Sequence, residues 1–447
     1  MRLKTRKLLD KSFSSLGIIS IVLMAAILLI ILLPILWRGS QAFIFTGTIE
    51  HQKVMYDNWN RGDKEEVDAD IAASEKAREP IYGMLSKFQT EIKQMKRSKR
   101  RRYKKELKEV QKLLRVIIGP LQGERKPVLM RQQYGQTRWD RAQVKLKDFL
   151  YITEWDYSAP DNVKKVLIPR ANSFKGTSLV DLFPYIENNL ENILKPKITF
   201  YPQFLTDTAK DSHLFGGIWP ELLGTIYLTL GAMIFAIPIG VITAIYFCEY
   251  SKPGPIITFL RICISTLAGV PSIVFGLFGL AFFLNTIEVS KTKSVLAGAL
   301  TLSLLILPTI IRASEEAIMS VPKTYKEASL ALGAGKWKTI MTIILPVSLP
   351  GILTGIVISM GRAAGETAPI IFTAAVSVGK ALNLDQVLTN PTPALPWNIY
   401  NLCTEHEAVD EIRHVQYGMV LSLIAVVLIL NLGAIIMRAR ITKKLKG

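Results

Sequence analysis

Six stretches of this chain stay apolar for long enough to cross a bilayer, at roughly 17–37, 221–247, 257–284, 294–311, 347–376 and 417–437. Each offers about 18 or more residues, the length a membrane-spanning helix needs, and the longer ones have room to tilt. Inside hydrocarbon the backbone has to satisfy its own hydrogen bonds, so all six are predicted as helices. The polar intervals between them are unequal. A hydrophilic region at 38–220 separates the first span from the second, whereas the other five follow closely. Two longer intervals interrupt those five: 312–346, and 377–416, where Pro391, Pro393 and Pro396 break any long helix.

Within the first interval, 63–116 is rich in Glu, Lys, Arg, Ala and Leu and predicts one or two long helices or a helical hairpin. The stretch 117–175 mixes Gly, Pro, aromatic and β-branched residues, as at Val128-Leu129-Met130 and Phe149-Leu150-Tyr151-Ile152, and predicts a small strand-bearing module. Residues 179–195 read as a further amphipathic helix. The fold class expected is an all-α integral membrane protein of six transmembrane helices, with a large extracytoplasmic α+β insert after the first. Its expected divisions are 1–37 (tail and first helix), 38–215 (insert), 216–437 (five-helix core with a polar elbow at 320–346) and 438–447 (basic tail).

Charge sets the orientation. Arg2, Lys4, Arg6, Lys7 and Lys11 precede the first span like a signal-peptide n-region. The apolar run is too long for an h-region, and Pro34–Arg38 lacks a small-residue cleavage pattern, so an uncleaved span is expected. The C-terminal tail is basic too, with Arg438, Arg440, Lys443, Lys444 and Lys446. An even number of spans puts both termini on one side, and the positive-inside rule makes that side cytoplasmic. The formal net charge of +19 would also suit a nucleic-acid binder. Much of the excess lies in the tails and in Glu91–Arg115, where twelve Lys/Arg stand against three Glu, a net of +9. With Tyr103 as the one aromatic there, base stacking has little to work with, and a solvated helix face is the better reading. Three cysteines and four histidines show no disulfide framework and no metal-ligand spacing.

The interval 320–346 carries the most information. Pro322 suits the first turn of a helix over Lys323–Leu332, and Gly333 and Gly335 suit a sharp turn. A second helix is expected with Trp337, Ile340, Met341 and Ile344 on one face, and Pro346 and Pro350 mark entry to the fifth span. The result is a compact lever able to dock into another protein, against the plainer alternative of an interfacial amphipathic helix. No nucleotide site accompanies it: Gly335-Lys336 is the nearest approach to a phosphate-binding loop, but Trp337 replaces Ser/Thr and Leu330 stands at the first glycine position.

The fifth span holds charges. Arg362 lies 16 residues past Pro346 in the chain, about 24 Å at the standard helical rise. A charge at that depth is costly unless paired or facing a water-filled path. Glu366, four residues on, shares a helix face with it and is the expected partner. Gly361, Ala363, Ala364 and Gly365 would let neighbouring helices approach closely. The pair reads either as the lining of an anion path or as a structural lock between helices. Arg312, Glu315 and Glu316 repeat the Arg-to-Glu spacing at the end of the fourth span, where Arg312 also reads as an ordinary positive-inside flank.

The pattern Glu327-Ala328-Ser329, three residues, Gly333, nine residues, then Ile343, Leu345 and Pro346 resembles the EAA loop of ABC importer permeases. Gly361-Arg362-Ala363-Ala364-Gly365-Glu366-Thr367-Ala368-Pro369 resembles the signature of PstA-type permeases in phosphate ABC importers. Gly216–Pro220, Ala244-Ile245-Tyr246 with Glu249-Tyr250, and Gly269–Gly276 agree with it. The resemblance covers 216–437 densely and the first span loosely, and the insert departs from compact members. It implies half of a translocation pathway in a bacterial inner membrane, without catalysis or a cofactor of its own. ATP would be bound by two copies of an ATPase gripping Glu327, Ala328, Ser329, Gly333, Ile343, Leu345 and Pro346. A second homologous permease would complete the pore, an extracytoplasmic phosphate-binding protein would deliver cargo, and membrane lipid would surround the spans. The pathway residues implied are Arg362, Glu366, Arg312, Glu316 and Thr367. Two alternatives stay open: a permease for sulfate or molybdate, and a phosphate-sensing membrane scaffold.

Overall fold

The computed structural model describes residues 3–121, 137–156, 164–210, 212–406 and 409–446, so the expected strand residues Val128–Met130 lie outside the described part. The chain forms two compact units, Phe43–Tyr201 and Met1–Ala42 with Pro202–Gly447.

The first span is α1 (Leu3–Ser40), whose most apolar window has no buried residue, as a lipid-facing helix requires. The insert unit then opens with β1 (Ile44–Gly47) and α2 (Ile49–Trp59). α3 (Lys64–Gln94) and α4 (Arg97–Ile118) form the expected helical hairpin. Asp63 starts α3 by accepting a hydrogen bond from the Glu65 amide at 3.0 Å. α4 is two-faced: Leu107, Val110, Leu114, Ile117 and Ile118 are buried while its Lys and Arg residues face solvent.

α5 (Trp139–Leu150) leads into β2 (Tyr151–Asp156), which pairs antiparallel with β3 (Lys164–Pro169) in the register Ile152↔Ile168. Phe149 and Leu150 therefore end a helix, and only Tyr151 and Ile152 of that tetrapeptide enter a strand. α6 (Leu182–Leu194) and β4 (Lys197–Phe200) complete the unit, β4 pairing with β1 through Phe45↔Thr199. Its core is one cluster from α3, α4, α5 and α6, centred on Phe88, Phe149, Phe174 and Phe183. Phe149 stacks on Phe183 at 5.1 Å, and Phe88 meets Phe174 edge-on at 5.7 Å.

The helical unit continues with α7 (Trp219–Ile245), extended by a π-helical turn to Tyr250. The third apolar stretch is not one helix. α8 (Pro255–Leu267) and α9 (Ser272–Gly279, running on to Thr286) meet at 102°. Pro271 stands at the break: it has no amide hydrogen for a continuing helix and disfavours helical geometry in the residue before it, and it is the N-cap from which α9 starts. α10 (Val295–Met319) runs past the expected end at 311 and carries Arg312, Glu315 and Glu316 within the helix.

α11 (Lys323–Ala331) and α12 (Lys336–Thr339) follow, and a π-helical turn, Ile340–Ile344, leads into α13 (Leu345–Gly365). The fifth stretch also breaks: Glu366 is extended (φ −78, ψ 126), and α14 (Ala368–Thr373) starts afresh with Pro369 in its first turn. α15 (Leu395–Thr404) and α16 (Arg413–Lys446) close the unit, α16 taking the basic tail into the last helix. Counting the bent pair once gives six candidate membrane spans among the described residues.

Small residues set the helix contacts. A Cβ at Gly351 or Gly355 of α13 would lie 2.7 or 2.3 Å from the Cβ of Ala317 or Ala313 of α10, so this Gly-x-x-x-Gly face brings the two backbones together. The expected stripe around Arg362 is divided: Ala363 and Ala364 are buried, Ala363 in the core of the helical unit, whereas a Cβ at Gly361 would meet Val427 and Asn431 only at ordinary distance and one at Gly365 would meet nothing.

Candidate functional site

Two sites stand on α13, one at each end. At its entry, α11 and α12 form an elbow. Pro322 caps α11 from outside the helix rather than standing in its first turn. Gly333 has φ +81, a backbone conformation a side chain would strain, and makes the turn. Gly335, at φ −70 and ψ 158, takes an ordinary extended conformation, so only one of the two expected glycine turns exists.

The arms of the elbow are stapled by Ser329 Oγ and Thr339 Oγ1, 2.9 Å apart and both buried. Glu327 and Ala328 are exposed, while Ile343, Leu345 and Pro346 are half-buried. The expected apolar face of the second arm is divided. Ile340 and Ile344 turn inward against Ala244, Ile245 and Ile318, while Trp337 is 60% exposed and Met341 stands outside with it. Leu332 at the tip is 90% exposed. A groove of about 540 Å³ runs along Ala328, Ser329, Gly333, Lys338 and Ile343. An outward apolar tip beside a groove, on a base held by buried contacts, has the form of a docking lever.

At the other end of α13, Arg362 Nε donates to Glu366 Oε1 at 3.3 Å. The expected pair forms, but not along one helix face: Arg362 is in the last turn of α13, and Glu366 lies beyond the helix end. A cation in the last turn is favoured by the partial negative charge of the helix C-terminus. The pair is not sealed, with the arginine side chain 39% exposed and the carboxylate 19%. Thr367 is half-buried and caps α14, its carbonyl accepting from the Ile371 amide at 3.3 Å. Lys293 Nζ donates to the Ile371 carbonyl at 2.7 Å and so fixes the far end of α14.

The second charged cluster is assembled differently from its sequence spacing. Arg312 donates to Ser265 Oγ of α8 rather than reaching Glu316, and Glu315 pairs with Arg261 of α8 at 3.1 Å. These four and Glu316, which is exposed, line a recess of about 240 Å³. Arg261 went unremarked in the sequence, although a lone arginine in an apolar run was the available signal. At the N-terminal end of α7, His213 Nε2 lies 2.8 Å from Glu221 Oε1, which also accepts from Asn398 Nδ2 at 3.0 Å. This buried network joins α7 to α15.

A lever at one end of a helix and an unsealed cation at the other, within a bundle of spans, define a membrane transport subunit driven from outside the chain. The chain belongs to the family described as binding-protein-dependent transport system inner membrane component, whose profile matches residues 236–447. It is therefore the permease of an ABC importer, a multi-pass membrane protein without catalysis of its own. A second permease, ATPases that hydrolyse the ATP, and a binding protein work with it.

Several relatives are similar over half of the chain or more. The probable ABC transporter permease protein YqgI of Bacillus subtilis is 34% identical over 60% of this chain and 91% of its own length. The phosphate transport system permease protein PstA 1 of Mycobacterium tuberculosis is 39% identical over 51% of this chain and 73% of its own. The phosphate transport system permease protein PstA of Yersinia pestis is 35% identical over 50% and 73%.

Proposed function

We propose that this permease imports phosphate, forming half of the pathway together with a homologous permease and receiving its cargo from an extracytoplasmic phosphate-binding protein. The observation that carries the reading is the Arg362–Glu366 pair at the broken end of α13, open on one side. An arginine presents several donors in a fixed fork that matches tetrahedral oxyanions. The adjacent carboxylate competes for those donors, so the anion is held weakly enough to leave. The names of the relatives at 35–39% identity point to the same anion.

In this scheme Arg362 and Glu366 line the path, Thr367 shapes the break, and Arg312 with Glu316 stands on the path nearer the elbow. Two ATPase copies would grip the elbow through Glu327, Ala328, Ser329, Gly333, Ile343, Leu345 and Pro346. Both termini lie in the cytoplasm and 38–215 outside it, in a bacterial inner membrane.

Labelled phosphate uptake by the assembled complex tests the reading. Arg362→Ala is expected to lower uptake by about 100-fold, the scale of losing one preorganised anion donor, with Arg362→Lys intermediate. Excess sulfate or molybdate is expected to leave uptake intact, and competition by either would transfer the assignment to that anion. Uptake unchanged in Arg362→Ala would remove the arginine from the path.

A further inference from the structure

The inward side of the elbow is fastened to a helix that lies outside the coupling motif. The π-helical turn ending α7 carries Glu249, which is paired with Lys326 Nζ of α11. The Glu249 side chain is only 9% exposed. The next residue, Tyr250, takes Lys336 Nζ of α12 over its ring at 4.8 Å from the centroid. Between these contacts, Ile340 and Ile344 pack on Ala244 and Ile245 of α7 and Ile318 of α10. Both arms of the elbow are thus held by α7, one through an ion pair and one through a cation–π contact, with an apolar seam between them.

The energetics favour a fixed joint. A nearly buried carboxylate that loses its cation is left uncompensated, so separation is penalised far more than for a surface pair. A cation over an aromatic ring adds a second, partly desolvated attraction. At its other end α7 is equally held, by the Glu221–Asn398 contact and by Gly224, which lies against the Pro393 carbonyl so closely that a Cβ would come within 1.9 Å of it. Between those two anchorages runs one continuous helix.

We propose that Glu249 and Tyr250 are positioning residues of the transport cycle. They latch the elbow to α7, so that the ATPase stroke moves α7 and its outer contacts together with α13. The latch rests on the elbow being the surface the ATPases push, and not on which anion crosses.

Two readouts on the assembled complex in lipid vesicles test it. In the first, phosphate transported per ATP hydrolysed is compared across variants. Glu249→Gln and Lys326→Gln are each expected to lower that ratio about tenfold, a coupling loss of ordinary allosteric size. The charge reversal, Glu249→Lys with Lys326→Glu, is expected to recover most of it, which a merely structural role for either residue would not produce. An unchanged ratio in both single variants, or no recovery in the reversal, overturns the latch.

The second readout is independent of cargo. Spin labels replace Lys252 and Lys323, both exposed, and their separation is read with and without ATP. One unchanged distance is expected in the otherwise native complex, and a shifted or split one in Glu249→Gln. A distance that already changes with ATP when Glu249 is present overturns the latch. A native complex that keeps this distance fixed but moves no phosphate refutes the assigned cargo alone.

Discussion

In the insert unit the helices turn their largest side chains inward, while Ile198 and Phe200 on β4 stay exposed. Phe88, Phe149, Phe174 and Ile186 are each less than 2% exposed and meet in one closed cluster. In the helical unit many of the largest apolar groups point outward, as Phe13, Ile30 and Trp37 do on α1 and Ile234 and Ile242 do on α7. Others form a buried cluster that includes Leu228, Met233, Phe275 and Ile306, and close helix contacts are made at Gly224, Gly240, Gly351 and Gly355, with hydroxyls such as Thr225, Thr229 and Ser314 buried in the same unit. The contrast follows from the solvent. Water drives apolar bulk into the insert's core. Lipid is as apolar as leucine and offers no such drive, so helices associate through close backbone approach and polar contacts.

This contrast predicts opposite sensitivities. Gly224→Leu should have the largest effect: a Cβ there would sit 1.9 Å from the Pro393 carbonyl, with no flexible side chain to move away. Loss of folded permease from the membrane is the expected result, read by the amount of monodisperse protein recovered in detergent. Normal recovery would show that the 392–398 segment does not depend on α7. In the insert the damage should come from removing volume. Phe88→Ala is expected to lower the opening free energy of α3 and α4 by about 3–5 kcal/mol, read by hydrogen exchange of their amides in the intact chain. A loss below about 1 kcal/mol, well under the range for a buried aromatic, would mean the cluster collapses to fill the space the ring leaves.

Much of the helical unit was legible because long apolar runs admit one backbone solution in lipid, and because the elbow's spacing is specific. The failures have physical causes. Hydropathy averages over Gly269-Val270-Pro271, so the 102° break in the third stretch was hidden inside an uninterrupted apolar run. The same averaging concealed the break at Glu366, although Pro369 signalled it. Pairing by spacing along one helix found Arg362–Glu366 but misassigned Arg312, because Ser265 and Arg261 come from another helix. Of the small residues flanking Arg362 only Ala363 and Ala364 are buried, and the close glycine contacts of α13 lie at Gly351 and Gly355. The division of the elbow's apolar face at Ile340 could not be read from helical periodicity, since a π-helical turn shifts the register there.

A third test concerns pH. His51 is buried in the insert, edge-on to Phe45 at 5.0 Å, and burial, with the Arg138 guanidinium as second cause, lowers its pKa from 6.5 to about 4. Below pH 6.5 the unfolded chain takes up a proton that the folded insert refuses, so the insert loses stability as pH falls from 6.5 towards 4. The loss should reach about 3 kcal/mol at the lower end and vanish above pH 6.5. Hydrogen exchange of α2 and α3 across that range checks it. His51→Gln should flatten the pH dependence, and an unchanged slope in that variant would assign it to other groups.

The smallest effect expected separates the two units most directly, because it applies the same kind of substitution with the opposite sign. Gly83 lies in the interior of α3, exposed, with nothing within 4 Å of where a Cβ would stand. Alanine there meets no neighbour and removes backbone freedom from the unfolded chain, so Gly83→Ala should stabilise α3 by up to about 1 kcal/mol. At Gly355 the same added methyl would come within 2.3 Å of Ala313 Cβ, and Gly355→Ala should destabilise the α10–α13 contact. Hydrogen exchange on α3 reads the first and thermal stability of the solubilised permease reads the second. A gain at both positions would mean that α10 and α13 have room to part, and that glycine in the spans serves local flexibility rather than close packing.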